Sequence, residues 1–513
     1  MLRRWSAALL LALALGGCAG LFSSFDVAPS GLRTSDDRLR RMLASGRAGA
    51  ALEQLAPEGE ADPGDALLRA LYAGIVAHYA GEYELSNAAF ELAVELSEDR
   101  RTTSVSRSAL SLVTSDRALP FQPSPSERLL IPYYAALNYL ELGDTEGAAV
   151  EARRLSALLE RYRTDDRADR WLHGLLRAFA GAVFEAAGER NDADVAYRNA
   201  RALGVDSILL APTEGVRPAP DSLGDVVVLI ERGFVAHRVE QSLAVLLLPE
   251  EIELFEDGDA EERAALAAQI AARVLAHAAE VLPEPGRRSA TLFVTPPEGY
   301  TPPRPRRPTS EECERAATGD ATKGGSGGSS RSGTGAGTAR SGEEAMRCER
   351  RRERTPYLLR IAWPVYLRPP APAAPLAVTL PDGRVELARA SADISEAVIR
   401  DFQAERTALV ARTIARGVTK LLVSRGLESE LGEKGETAGR IAGVLGNVGT
   451  ALLEQADTRS WHLLPGSIGM TRLRLPAGTH ALSVPDGRGS SVDIGQVEVR
   501  PGRVTFVSAR LFR

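Results

Sequence analysis

Between Asp36 and Leu203, a run of apolar and small residues breaks three times at a lone glycine and resumes at helical spacing. The first unit is LLRALYAGIVAHYAGEYELSNAAFELAVEL (Leu67–Leu96), with its turn at Gly81 and with Ala88, Phe90 and Ala93 on the second limb. The second is IPYYAALNYLELGDTEGAAVEARRLSALLE, with Gly143 and Asp144 at the turn and Ala148, Ala149 and Ala152 beyond it. The third carries Phe184, Gly188, Ala193, Ala196 and Tyr197 in the same order. Apolar positions three and four apart predict helices with one buried face. Small residues after each turn let the two limbs approach closely. A single helix pair cannot bury its own apolar face, so this pattern commits the region to stacking pair on pair.

This patterning resembles tetratricopeptide (TPR) repeats, and the resemblance implies an α-solenoid with a partner-binding groove. The turn glycines lie 62 and 45 residues apart rather than at the regular period of about 34, so insertions or degenerate repeats intervene. An irregular helical bundle is the competing account. If a groove binds, Tyr72, Tyr79, Asn138 and Tyr139 are the expected lining residues.

After Pro212 the chain changes character. DVVVLIERGFVAHRVEQSLAVLLLP reads as two strands around Arg232-Gly233. AEERAALAAQIAARVLAHAAEVL reads as an amphipathic helix, with acids at its start where the helix dipole favours them. TLFVTPP and LLRIAWPVYL read as strands, and LAVTLPDGRVELARA as a hairpin at Asp382-Gly383. A long helix follows from Asp393 to Ser424, then a glycine-spaced stretch, Gly439–Gly449, suited to close helix packing. The tail alternates apolar and polar residues as four strands. The expected class is a multidomain α+β protein: a TPR-like α-solenoid, then a mixed α/β region ending in a small β-sheet or sandwich. The expected limits are 1–18 (signal peptide), 19–35 (tether), 36–205 (helical domain), 206–300 with 355–513 (mixed domain), and 301–354 (a disordered Gly/Ser/Arg-rich insertion).

The chain opens MLRRWSAALLLALALGGCAG. Arg3 and Arg4 precede an apolar stretch from Trp5 to Leu15, too short for a spanning helix of roughly 20 residues but suited to a signal-peptide core. Leu15-Gly16-Gly17-Cys18 resembles the bacterial lipobox, which implies that the Cys18 thiol is lipidated before cleavage. A plain secretory signal with an incidental cysteine is the alternative. By resemblance to Gram-negative lipoproteins, Ala19 after that cysteine implies the outer membrane, with the soluble part facing the periplasm. Several acyl chains, palmitate among them, would hold it firmly where one binds marginally.

Cys313 and Cys348 flank a Gly/Ser-rich tract. In an exported chain they invite a disulfide; two free thiols are the alternative, and no histidine nearby supports a metal site. The formal charge of −6 over 513 residues gives no concentrated positive footprint for nucleic acid. The six histidines match no metal spacing, and neither a Walker loop nor a G-x-S-x-G elbow occurs. We therefore expect no catalytic residues, no metal and no cofactor. EQADTRSWHLLPG gathers Glu454, Asp457, Arg459, Trp461 and His462 between a helix and the tail strands. These residues read either as a ligand, glycan-binding or hydrolase site, or as a structural junction in which Asp–Arg bonds hold an irregular crossing.

The lipobox, LNYLELGDTEGAAVEARRL, GDVVVLIERG, and EQADTRSWHLLPG followed by LRLPAGTH together resemble an uncharacterised family of bacterial envelope lipoproteins. The resemblance implies architecture and location and lends no catalytic residue. The functional expectation is a membrane-anchored scaffold that holds an envelope protein, in envelope or cell-wall maintenance.

Overall fold

The computed structural model describes residues 32–55, 63–99, 119–162, 169–206, 222–258, 260–281, 291–294, 357–370, 374–432, 456–487 and 489–512. Cys18, Cys313, Cys348, Glu454, tether residues 19–31, the 301–354 insertion and the Gly439–Gly449 stretch lie outside these residues.

Helices α1 (Thr34–Ala44) and α2 (Ala48–Gln54) lead into three antiparallel pairs: α3 (Ala66–Ala80) with α4 (Tyr83–Asp99), α5 (Pro125–Glu141) with α6 (Thr145–Arg161), and α7 (Arg170–Ala186) with α8 (Arg190–Ala202). The three turns are built alike. Gly81, Gly143 and Gly188 take φ of 81°, 77° and 81°, a left-handed conformation that costs glycine little. The next amide reaches back five residues each time: Glu82 to the Ala77 carbonyl (2.9 Å), Asp144 to Tyr139 (2.8 Å) and Glu189 to Phe184 (2.8 Å). This is the Schellman arrangement, which satisfies carbonyls left open at a helix end. Helix starts are equally local. Ser124 and Glu127 form a reciprocal capping box before α5, with Pro125 in the first turn, and the Asp169 carboxylate accepts from the amides of Trp171 and Leu172.

The remaining elements are β1 (Leu223–Arg232), β2 (His237–Leu247), α9 (Pro249–Asp257), α10 (Ala260–Val281), β3 (Thr291–Val294), β4 (Tyr357–Leu367), β5 (Ala377–Thr379), β6 (Val385–Leu387), β7 (Ala390–Asp393), α11 (Ile394–Gly432), β8 (Ser467–Pro476), β9 (Gly478–Pro485), β10 (Ser491–Val499) and β11 (Val504–Leu511). Among the described residues the strands form three sheets, ordered β11-β1-β8-β7, β10-β9-β5-β6 and β3-β2-β4. β5 and β6 make the hairpin expected at Asp382-Gly383. The two strands around Gly233, in contrast, do not pair. β1 runs parallel to β11 and antiparallel to β8, while β2 pairs with β4 and β3. The four tail strands also divide, β8 and β11 into one sheet and β9 and β10 into another.

β1 shows what joins these layers. Val226, Val228 and Ile230 face the second sheet and pack with Val378, Leu482, Val484 and Val499 as the core of a sandwich. Val227 and Leu229, on the opposite face by the period-two rule, belong to one core with helices α3 to α8. The third sheet has its own core, Leu243, Val245, Ile361 and Trp363 under Ile252, Leu266, Ile270, Val410 and Ile414 of the three flanking helices.

The inner helices α5 and α7 are consequently buried over most of their length; every residue from Leu172 to Phe184 is buried. Their outer partners α6 and α8 cover one face, and the C-terminal half covers the other. The Tyr133 hydroxyl donates to Glu231 of β1 (3.2 Å), the Phe179 ring meets Phe506 of β11 edge-on at 6.2 Å, and Arg472 of β8 makes two bonds to the Glu185 carboxylate (2.7 and 2.8 Å) and one to Asp225 (2.7 Å). The face a solenoid would present as its groove is filled by the chain itself.

Candidate functional site

The structure separates the four residues expected to line a partner groove. Tyr72 is buried; its hydroxyl donates to the Ser460 carbonyl (2.9 Å) and its ring meets His462 edge-on at 4.9 Å. Tyr79 packs against Phe512 (5.2 Å), with the Arg510 guanidinium over its ring at 5.2 Å. Asn138 is fully buried and joins three elements: its carbonyl oxygen contacts His78 Nδ1 (2.6 Å), and its amide donates to Ser86 and Asn87 (both 2.8 Å). These three side chains face the C-terminal half or the helical interior, and Tyr72 also borders a small recess beside Arg459. Tyr139 lines a larger concavity on the outer face.

That concavity runs between the outer helices α4 and α6 and holds about 570 Å³. Its floor is Phe90, Ile131, Ala135 and Tyr139, and its walls carry Glu84, Glu91, Asp144, Glu151 and Arg154. Gly147 lets the Tyr139 ring lie against the first turn of α6: a Cβ there would stand 2.6 Å from Tyr139 Cδ1. Arg154 spans the walls, donating to Glu91 of α4 (2.7 Å) and to Glu151 of α6 (3.0 Å). Burial pushes the Glu151 carboxyl up to about 7; Arg154 opposes the rise and Glu91 adds to it. Leu142 and Val150 stand at the lip, 40% and 46% exposed. Residue spacing held a signal for this site: Glu84, Ala88 and Glu91 share one face of α4, as do Asp144, Gly147, Glu151 and Arg154 on α6. Only the packing shows that the two faces look at each other.

The polar tract before the tail strands is a filled junction. Arg459 makes two bonds to Asp457 (both 2.7 Å), one to Asp65 (2.9 Å) and one to the Leu119 carbonyl (2.6 Å), tying the C-terminal half to the start of α3 and the approach to α5. The Trp461 side chain is fully buried, edge-on to Phe90 at 6.0 Å, and its backbone amide donates to Glu127 (3.1 Å). Glu127 therefore caps α5 with one carboxylate oxygen and holds the junction with the other. The His462 carbonyl accepts two bonds from Arg40 of α1 (3.1 and 2.6 Å). Its ring is buried 3.8 Å from Asp36, and burial holds its pKa below the usual value against the pull of that carboxylate. A recess of about 260 Å³ touches Thr458, Arg459 and Ser460, but Asp457, Trp461 and His462 do not line it.

Among the described residues, no group of three or more His, Cys, Asp and Glu side chains is placed to hold a metal ion, and no helix is long and apolar enough to cross a membrane. Fold and site together define a protein of stacked helix pairs closed on one side by its own β-sandwich, with a small acidic groove on the other. No protein-family model matches the sequence, and no curated protein matches it. Among solved structures, the chain is similar to the nearly identical TPR-like repeats of a Podosopora anserina kinesin light chain. The identity is 17%, the match covers 34% of this chain and 96% of that one, and the TM-score is 0.18. A likeness at that score carries no argument, and the repeat architecture stands on the turns and packing given above.

Proposed function

We propose that the protein is an envelope lipoprotein, anchored in the outer membrane through Cys18, that holds a partner protein on the outer face of its helix pairs. The observation that supports this reading is the groove between α4 and α6: it is open, has an apolar floor, and lies on the face the C-terminal half leaves uncovered. The tether contributes concentration. Confining host and partner to one membrane converts a weak contact into an occupied one without any further interaction.

A photo-crosslinking residue placed at Val150 in intact cells tests this, with the same residue at Val492, an exposed position on the sandwich 41% accessible, as control. A discrete adduct from position 150 and none from position 492 is the expected result. Labelled palmitate should enter the wild type and not Cys18→Ser, which lacks the acceptor thiol, and the adduct should fall in that variant. Equal adducts at both positions, or none, would end the scaffold reading; palmitate incorporated into Cys18→Ser, or none into the wild type, would end the anchor. Deleting the helical region is a poorer test, because α5 and α7 share a core with the C-terminal half.

A further inference from the structure

The groove's lining is unbalanced in charge. Among the described residues that line it, Glu84, Glu91, Asp144 and Glu151 stand with a single base, Arg154. Asp144 is committed in part to capping α6 through the Gly147 amide (2.8 Å). Glu84 is exposed and makes no ion pair among the described residues. Glu151 is almost out of water, with its side chain 9% exposed. A carboxylate so placed gains from any further cation brought within hydrogen-bonding reach. The molecule itself supplies a precedent, since one guanidinium already bridges the two walls at Glu91 and Glu151. Between the walls the floor is apolar, and Val150 and Leu142 extend that surface to the lip.

An occupant must therefore present an apolar stripe flanked by positive charge, which is what one face of a basic amphipathic helix offers. We propose that the groove between α4 and α6 takes a basic amphipathic helix of a partner protein, with its apolar side chains on Tyr139, Leu142 and Val150 and its arginines or lysines toward Glu84 and Glu151. This rests on the scaffold reading and names the chemistry of the partner. Complementary charge gives the pairing its selectivity and its sensitivity to salt.

The probe is a fluorescent 15-residue synthetic helix with leucines on one face and arginines on the other; its twin carries glutamates in place of the arginines. Binding to the full chain in neutral detergent is read by anisotropy. The arginine peptide should bind and weaken at least tenfold with Glu84→Gln/Glu151→Gln, two changes that keep side-chain shape and whose folding is checked by circular dichroism. It should weaken again in half-molar salt, and the glutamate twin should not bind. Equal binding of both peptides, or of the arginine peptide to wild type and variant, overturns the proposal. The adduct captured at Val150 separates this from the scaffold reading. A partner crosslinked through a neutral or acidic segment, or a second copy of this chain, defeats the basic-helix inference and leaves an interaction surface standing. No adduct at all defeats both.

Discussion

Arg459 gives the sharpest test of whether the polar tract is a junction or a binding site. Its guanidinium is 4% exposed and satisfies Asp457, 16% exposed, and Asp65, 21% exposed. It also donates to the Leu119 carbonyl. Arg459→Met keeps most of the side-chain volume and removes every one of these bonds. Breaking a buried ion pair from one side costs about 3–5 kcal/mol, because the abandoned carboxylates lose their partner without regaining full hydration. Both aspartates here retain some access to water, so the lower end, about 3 kcal/mol, is expected. Arg459→Lys restores the charge but not the planar fork that serves two carboxylates and a carbonyl at once, and should recover no more than half the loss. Adding Asp457→Asn to Arg459→Met removes one stranded charge and should regain about 1 kcal/mol. Urea unfolding followed by circular dichroism measures the totals, and hydrogen exchange over residues 456–466 and α3 localises them. A loss under about 1 kcal/mol, well below the range for a broken buried pair, or unchanged exchange in the tract, would show that Arg459 does not hold the junction and return it to the candidates for ligand binding.

Two further outcomes follow from the packing. Gly181→Ala places a Cβ 2.5 Å from the Tyr197 ring, which Glu185 holds through its hydroxyl at 2.7 Å; overpacking of this kind costs about 1–3 kcal/mol against roughly 1 kcal/mol gained in helix propensity. A thermal midpoint equal to or above wild type would show that the α7–α8 contact is looser than described. The second outcome concerns acid. Burial lowers the His78 pKa to about 4 from 6.5, outweighing the Asn138 hydrogen bond, which raises it. The unfolded chain therefore takes up this proton at a pH where the folded chain does not. The stabilisation is complete above about pH 6.5 and lost as pH falls toward 4, up to about 3 kcal/mol. His78→Gln should flatten the decline in urea midpoint between pH 7 and 5, and a parallel decline in both proteins would exclude His78 as its source.

Much of the fold was legible because its signals are local. Gly81, Gly143 and Gly188 each end a helix through bonds spanning five residues, and Asp382-Gly383 closes a short hairpin. Such features depend on neighbours in the chain, and reading along the chain finds them. The pairing of β1 was not legible in that way. Val226 to Ile230 would suit a hairpin with β2 equally well, and the choice of β8 and β11 was made by two apolar faces that needed two different cores.

The site shows the same division. The residue pattern alone showed that helix pairs would stack and that Asp457 and Arg459 would have reason to pair, and it offered Tyr72, Tyr79, Asn138 and Tyr139 together as groove-lining residues, which the structure separates. An aromatic residue on a helix has the same pattern whether it faces water, a partner or its own chain, so the pattern could not say which tyrosines remained available. Tertiary structure decided that: Arg472 reaches Glu185 across 287 residues, Tyr72 reaches Ser460 across 388, and the inner face closes. The groove that stays open joins acids from α4 and α6. Their shared field exists only once packing has brought the two helices together, because charge acts through space, whatever the order of residues along the chain.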